Sequence, residues 1–200
     1  VRSLLVNVSA VDDSSSGVYA GGLAGAVMTG AGTALSRVET SGTVSGDTNT
    51  ATAALGGVLG QMDTGTITTA TSSAAVTATL RTGSTNNTNF LVGGIVGGFT
   101  GGNLTDLTAS GNVAGGWHSG GLLGRFAPSS SGTLTGSHAS GNVNSTGTAG
   151  GLVGYALGTG SIQNSDASGD VVTTGAETAT AYAGGAIGQY SMSLAPSAVS

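Results

Sequence analysis

The sequence predicts an all-β fold, a β-solenoid (parallel β-helix) of about six glycine-rich repeats, and three observations carry that expectation. A five-residue block, Gly-Gly-apolar-apolar-Gly with Ala allowed at the apolar places, occurs six times. A second block follows it in five of the six copies. The composition, 39 Gly in 200 residues with 6% charged residues, is foreign to a helical domain, because Gly in a helix interior costs about 1 kcal/mol relative to Ala.

The first block runs Gly21-Gly22-Leu23-Ala24-Gly25, Gly56-Gly57-Val58-Leu59-Gly60 and Gly93-Gly94-Ile95-Val96-Gly97. It continues as Gly120-Gly121-Leu122-Leu123-Gly124, Gly150-Gly151-Leu152-Val153-Gly154 and Gly184-Gly185-Ala186-Ile187-Gly188. The spacings between first glycines are 35, 37, 27, 30 and 34 residues. The second block is Gly-x-Leu/Ile, five residues, then Ser-Gly-x-Val, as in Gly102-Asn103-Leu104 to Ser110-Gly111-Asn112-Val113. Equivalent segments end at Val44, Val76, Val143 and Val171, with Ala74 in the glycine place of one.

Apolar runs this short, bounded by Gly, Ser, Thr, Asn and Asp, form a strand-and-turn pattern. A unit of about 30 residues cannot bury its apolar side alone but can do so stacked on its neighbours. Equivalent residues then form inward ladders: Leu35, Ile67, Leu104, Leu134 and Ile162; Val44, Val76, Val113, Val143 and Val171; and Leu23, Val58, Ile95, Leu122, Leu152 and Ala186. A bulkier row, Val27, Met62, Phe99, Phe126, Ala156 and Tyr190, falls two places after each third glycine. The corner glycines allow positive φ and close backbone approach, and the Asn112, Asn142 and Asp170 side chains beside them can bond local backbone. Residues 1–18 are expected as a lead-in strand or cap, 19–191 as the six-repeat solenoid and 192–200 as a tail. The loops Asp47 to Ala53, Arg81 to Asn89, Pro128 to Ser131 and Thr174 to Thr180 are expected along one edge.

Composition narrows the functional classes. The chain has no Lys and four Arg, with a net charge of −5; neutralising phosphate needs clustered Lys and Arg, so neither nucleic acid nor an anionic membrane is expected as a partner. The placed apolar rows and modest net charge argue against disorder. No apolar stretch reaches the ~18 residues of a membrane span. Val1 to Asp13 lacks an initiator Met and a basic lead into a cleavage site, so it is not read as a signal peptide and the chain reads as a piece of a longer polypeptide.

Gly151-Leu152-Val153-Gly154, followed by Gly160-Ser161-Ile162-Gln163-Asn164-Ser165-Asp166-Ala167-Ser168-Gly169-Asp170-Val171, resembles the GLUG repeat. The resemblance extends from about Tyr19 to Tyr190. It implies a stalk or presentation surface of a bacterial surface or secreted protein, such as a filamentous adhesin, with catalysis placed elsewhere. Asp166 stands where that repeat usually has Tyr, and the other copies have Leu107 to Thr108 or Ser137 to His138 there.

Chemistry-bearing patterns are sparse. His118 and His138 with Glu39 and Glu177 do not form a His-Glu-x-x-His zinc helix. Asp12, Asp13, Asp47, Asp63, Asp106, Asp166 and Asp170 place no two carboxylates at adjacent ladder positions, as glycoside hydrolysis requires. Neither a calcium nonapeptide nor a phosphate-binding Gly-Lys-Ser/Thr occurs, and the Thr66-to-Thr71 face is too mixed across repeats for ice binding. The sequence therefore predicts no enzyme and no cofactor. The first expectation is an extracellular, cell-surface structural or adhesive segment that pairs with itself end to end, with neighbouring repeats, or with a host glycan or protein. The second is a carbohydrate-binding module with an aromatic platform of Trp117, Phe126 and Tyr155, joined by His118; otherwise both histidines are outward or loop residues. The third is a polysaccharide-processing β-helix enzyme.

Overall fold

The computed structural model describes residues 3–12, 17–28, 33–48, 52–81, 89–129, 131–175 and 180–191, and these form strands and turns with no helix. Every strand pair is parallel, and the strands stack into one twelve-stranded and two six-stranded sheets. The result is a β-solenoid of about five turns. Six glycine blocks yield about five turns because each turn closes only when the long strand following a block returns, and the second block that builds that strand follows only five of the six.

Each turn follows the sequence blocks. A short inbound strand (Asn89–Gly93 in one turn) leads into the Gly-Gly pair, and a short outbound strand (Val96–Phe99) leaves it. The chain then crosses the long sheet as one or more segments, here Gly102–Ala109 and Val113–Ala114. The named ladders are in register. Leu35 pairs with Ile67, Ile67 with Leu104, Leu104 with Leu134 and Leu134 with Ile162, and Val44 through Val171 pair likewise. The lead-in strand Leu4–Asp12 extends the second ladder, with Val8 opposite Val44.

The cross-section is indented. The inbound and outbound strands run down to the long sheet and back, so that the second glycine of each of the first five pairs sits on that sheet's middle. A Cβ placed on Gly94, Gly121 or Gly151 would lie 2.9, 2.8 or 2.7 Å from the Cβ of Ala109, Ala139 or Ala167. This close approach, with no left-handed backbone at the pair, is why two glycines recur there. The seam splits the interior into two apolar lobes. One holds Leu59, Met62, Ile67, Phe99, Leu104 and Phe126 between the outbound strands and the first half of the long sheet. The other holds Leu55, Val44, Val76, Phe90, Val92 and Val113 beneath the inbound strands.

The long sheet bends at a second repeat-defined column. Arg37, Thr69, Asp106, Gly136 and Asn164 all take left-handed φ, between 49° and 62°, and stacking holds each non-glycine member in a conformation it rarely adopts. At the Ser-Gly corner only Gly42 has left-handed φ. Gly111, Gly141 and Gly169 are there instead because a side chain would meet the preceding turn's carbonyl. Asn112 and Asn142 do not bond their own local backbone as expected. Asn112 Oδ1 accepts from the Asn142 N–H at 3.0 Å, and Asn142 Oδ1 from the Asp170 N–H at 3.0 Å. They tie one turn to the next.

The expected single loop edge is corrected. Asp47, Arg81, Asn89 and Thr174 lie where the long sheet hands over to inbound strands. Pro128 and Ser129 lie at the opposite edge, between the outbound strand Leu123–Phe126 and the long-sheet strand Thr133–Thr135. The middles of three loops, residues 49–51, 82–88 and 176–179, and the tail 192–200 fall outside the described residues.

Candidate functional site

Alternation along the short strands decides what the indentation presents. In the inbound strand Val18 and Ala20 point into a lobe, which turns Tyr19 outward. Its column through the turns is Tyr19, Ala54, Leu91, His118, Thr148 and Tyr182. The matching outbound column is Ala26, Gln61, Gly98, Arg125, Tyr155 and Gln189. The two columns face one another across a groove running along the rod.

The groove deepens around Gly98. With no side chain there, the Gln61 side chain lies across that space beside Leu91. A cavity of about 260 Å³ results, and Tyr19, Gln61, Asp63, Asn89, Leu91 and Arg125 are among its lining residues. Gln61 Nε2 donates to Asp63 Oδ1 at 3.1 Å. Gln61 and Leu91 are buried, whereas Tyr19 is 38% exposed at the mouth.

Among the described residues Arg125 is the one arginine that lines this cavity. Burial draws its guanidinium below the ordinary value, and the neighbouring Tyr155 and Tyr19 phenols oppose that shift. It remains a cation at any physiological pH. Its Nε is buried without an acceptor. The Arg–carboxylate ion pair among the described residues lies elsewhere, Arg81 with Asp47 at 2.9 Å, and His138 Nδ1 hydrogen-bonds Asp166 Oδ2 at 2.6 Å on the outer face of the long sheet.

The structure divides the four residues read as an aromatic platform. Phe126 is buried, 2% exposed, and stacks on Phe99 with ring centroids 5.8 Å apart and planes 2° from parallel. Trp117 packs against the second lobe and fills the space over Gly147. Both serve the core, because their ladder places point inward. His118 and Tyr155 do meet, stacked at 4.7 Å across the groove. His118 is thus a strand residue that faces the groove and not a loop residue, buried to 6% exposure beside the Tyr155 ring; His138 does lie outward. Sequence reasoning missed Tyr19, Gln61, Leu91 and Arg125. Their signal was positional: each stands one place beyond a recurring inward residue or the third glycine.

Among the described residues no three His, Asp or Glu side chains gather as a metal site, and no helix is long and apolar enough to cross a membrane. The GLUG motif, which the sequence blocks resemble, is present at residues 88–114 and 145–172. Each matched segment covers about one turn, from inbound strand through the Gly-Gly seam to the Val ladder. No curated protein and no solved structure matches the chain.

Proposed function

We propose that the chain is a rigid repeat segment of a bacterial cell-surface or secreted protein, acting as a structural and adhesive spacer and catalysing no reaction. The observation that carries this reading is the unbroken parallel pairing of all three sheets from turn to turn. Such a stack is stiff along its axis and grows by adding turns. The GLUG motifs support the surface setting, since the resemblance implies stalks and presentation surfaces.

Two measurements test the two halves. Antibody against the chain labels intact, unpermeabilised source cells; labelling only after lysis overturns the surface assignment. Beads coated with the chain are retained under flow on immobilised extracellular glycans and matrix proteins; retention no greater than for bare beads overturns adhesion.

A second reading, end-to-end assembly, is favoured by the last described turn. Ala183, Gly185 and Ala186 are exposed there, and Gly185 has open space where its five counterparts meet the next turn's backbone. A further turn seats on that face, from continuing chain or a second copy. Light scattering and negative-stain microscopy over a concentration series distinguish the two: growing threads mean self-stacking, and monomers at all concentrations rule it out for this chain.

A further inference from the structure

The groove cavity pairs one unsatisfied cation with a set of hydroxyl-reading side chains. Arg125 lines it, is in no ion pair among the described residues, and has a buried Nε without an acceptor. Buried N–H groups nearly always have partners, and a guanidinium fork matches a carboxylate two oxygens at a time. Around it stand Gln61, Asp63, Asn89 and Thr52. Their amides, carboxylate and hydroxyl can donate to and accept from neighbouring hydroxyl groups. Asp63, with one oxygen taken by Gln61, repels a second anion beside it and accepts from a hydroxyl. Tyr19, exposed at the mouth, offers a ring face to an apolar C–H surface. The volume, about 260 Å³, lies just under the ~300–1,000 Å³ of pockets for drug-sized ligands. It suits one sugar ring.

We propose that the groove around Arg125 binds an acidic sugar, a uronic or sialic acid unit, with its carboxylate on Arg125 and its hydroxyls on Gln61, Asp63 and Asn89. The acidic sugar would enter at Tyr19 and stop against the His118–Tyr155 stack. This inference deepens the adhesive half of the proposed function by naming the ligand class.

The test is an NMR titration of the isotope-labelled chain with glucuronate, galacturonate and N-acetylneuraminate. Glucose, galactose, acetate and glycine serve as separate controls. The Arg125 Nε–H and the Gln61 and Asn89 side-chain amides are followed. At least one acidic sugar is expected to shift all three, and the methyl ester of that sugar to bind roughly tenfold more weakly for want of the charge-assisted contact. Arg125→Gln is expected to lose the response to the same degree. Tyr19→Ala, at the exposed mouth, keeps the fold and weakens binding several-fold, and so serves if Arg125→Gln does not fold. The proposal is overturned by the absence of any acidic-sugar response, by neutral sugars or the methyl ester binding equally well, or by acetate or glycine producing the same shifts. Beads that adhere while every sugar fails would remove this site and leave the adhesive reading standing.

Discussion

Replacing Gly121 with Ala tests the stacking directly, because the same substitution at Gly185 is its internal control. Both are second glycines of a pair, and neither has a left-handed φ. At Gly121 the added Cβ would overlap the carbonyl oxygen of Gly151 and sit 2.8 Å from Ala139 Cβ. Both obstacles are fixed by the sheets. Overpacking a tight interior costs about 1–3 kcal/mol, occasionally more, and with backbone as the obstacle the upper end is expected. With a urea m-value near 3 kcal/mol/M, the top of the range for a domain of this size, ~3 kcal/mol lowers the midpoint by about 1 M. At Gly185 the Cβ meets nothing within 4 Å, and Gly-to-Ala there is expected to change stability by between zero and about +1 kcal/mol, through a less flexible unfolded chain. Urea unfolding followed by circular dichroism on the two variants decides it. Equal midpoints, or a Gly185→Ala loss as large as that of Gly121→Ala, would refute the seam and the turn-on-turn register behind it.

Further outcomes follow from other columns. Phe126→Ala removes a ring stacked on Phe99 inside a closed lobe and is expected to cost about 3–5 kcal/mol; a double-mutant cycle with Phe99→Leu, read by urea unfolding, should show coupling of about 0.5–1.5 kcal/mol. Asn142→Ala deletes the acceptor for the Asp170 N–H at an exposed corner and is expected to cost about 0.5–1.5 kcal/mol, with faster amide exchange at Asp170. Thr69→Gly relieves a β-branched residue at φ 58° and is expected to gain about 1 kcal/mol in thermal or urea unfolding, within the ~1–3 kcal/mol such conformations cost. Asp166→Asn removes the negative charge from the exposed contact to His138 and is expected to cost less than ~1 kcal/mol in urea unfolding.

The inward ladders were legible because apolar residues recur at fixed offsets from the glycines, and stacking forces such residues into register. The indentation was less so. Its signal is the small residue before each Ser-Gly corner or its equivalent: Thr40, Ser72, Ala109, Ala139 and Ala167. These read as unremarkable strand residues until a Gly-Gly turn is placed on them. The left-handed column is announced by Asp106, Gly136 and Asn164, residues tolerant of that conformation, and concealed by Arg37 and Thr69. The groove resisted reading because its columns hold no recurring residue type; Ala54, Leu91 and His118 share a position and nothing else. The platform of Trp117 and Phe126 failed for a simple reason. Trp117 N–H bonds the Phe90 carbonyl and Phe126 pairs with Phe99, so each large ring stands in a column already committed to the interior.

The direction of the ladders has a mechanical consequence. Because the strands lie across the rod, their hydrogen bonds run along it, and a pull on the two ends loads them one turn at a time, as a zip and not in shear. A turn such as that from Gly120 to Gly150 holds 30 residues in about 4.8 Å of rod. Extended, the same residues span about 100 Å. A tether built this way stays short and stiff at low load, and under high load each released turn alone lengthens about twentyfold, adding roughly 95 Å. It dissipates force in steps while the remaining turns keep their shape.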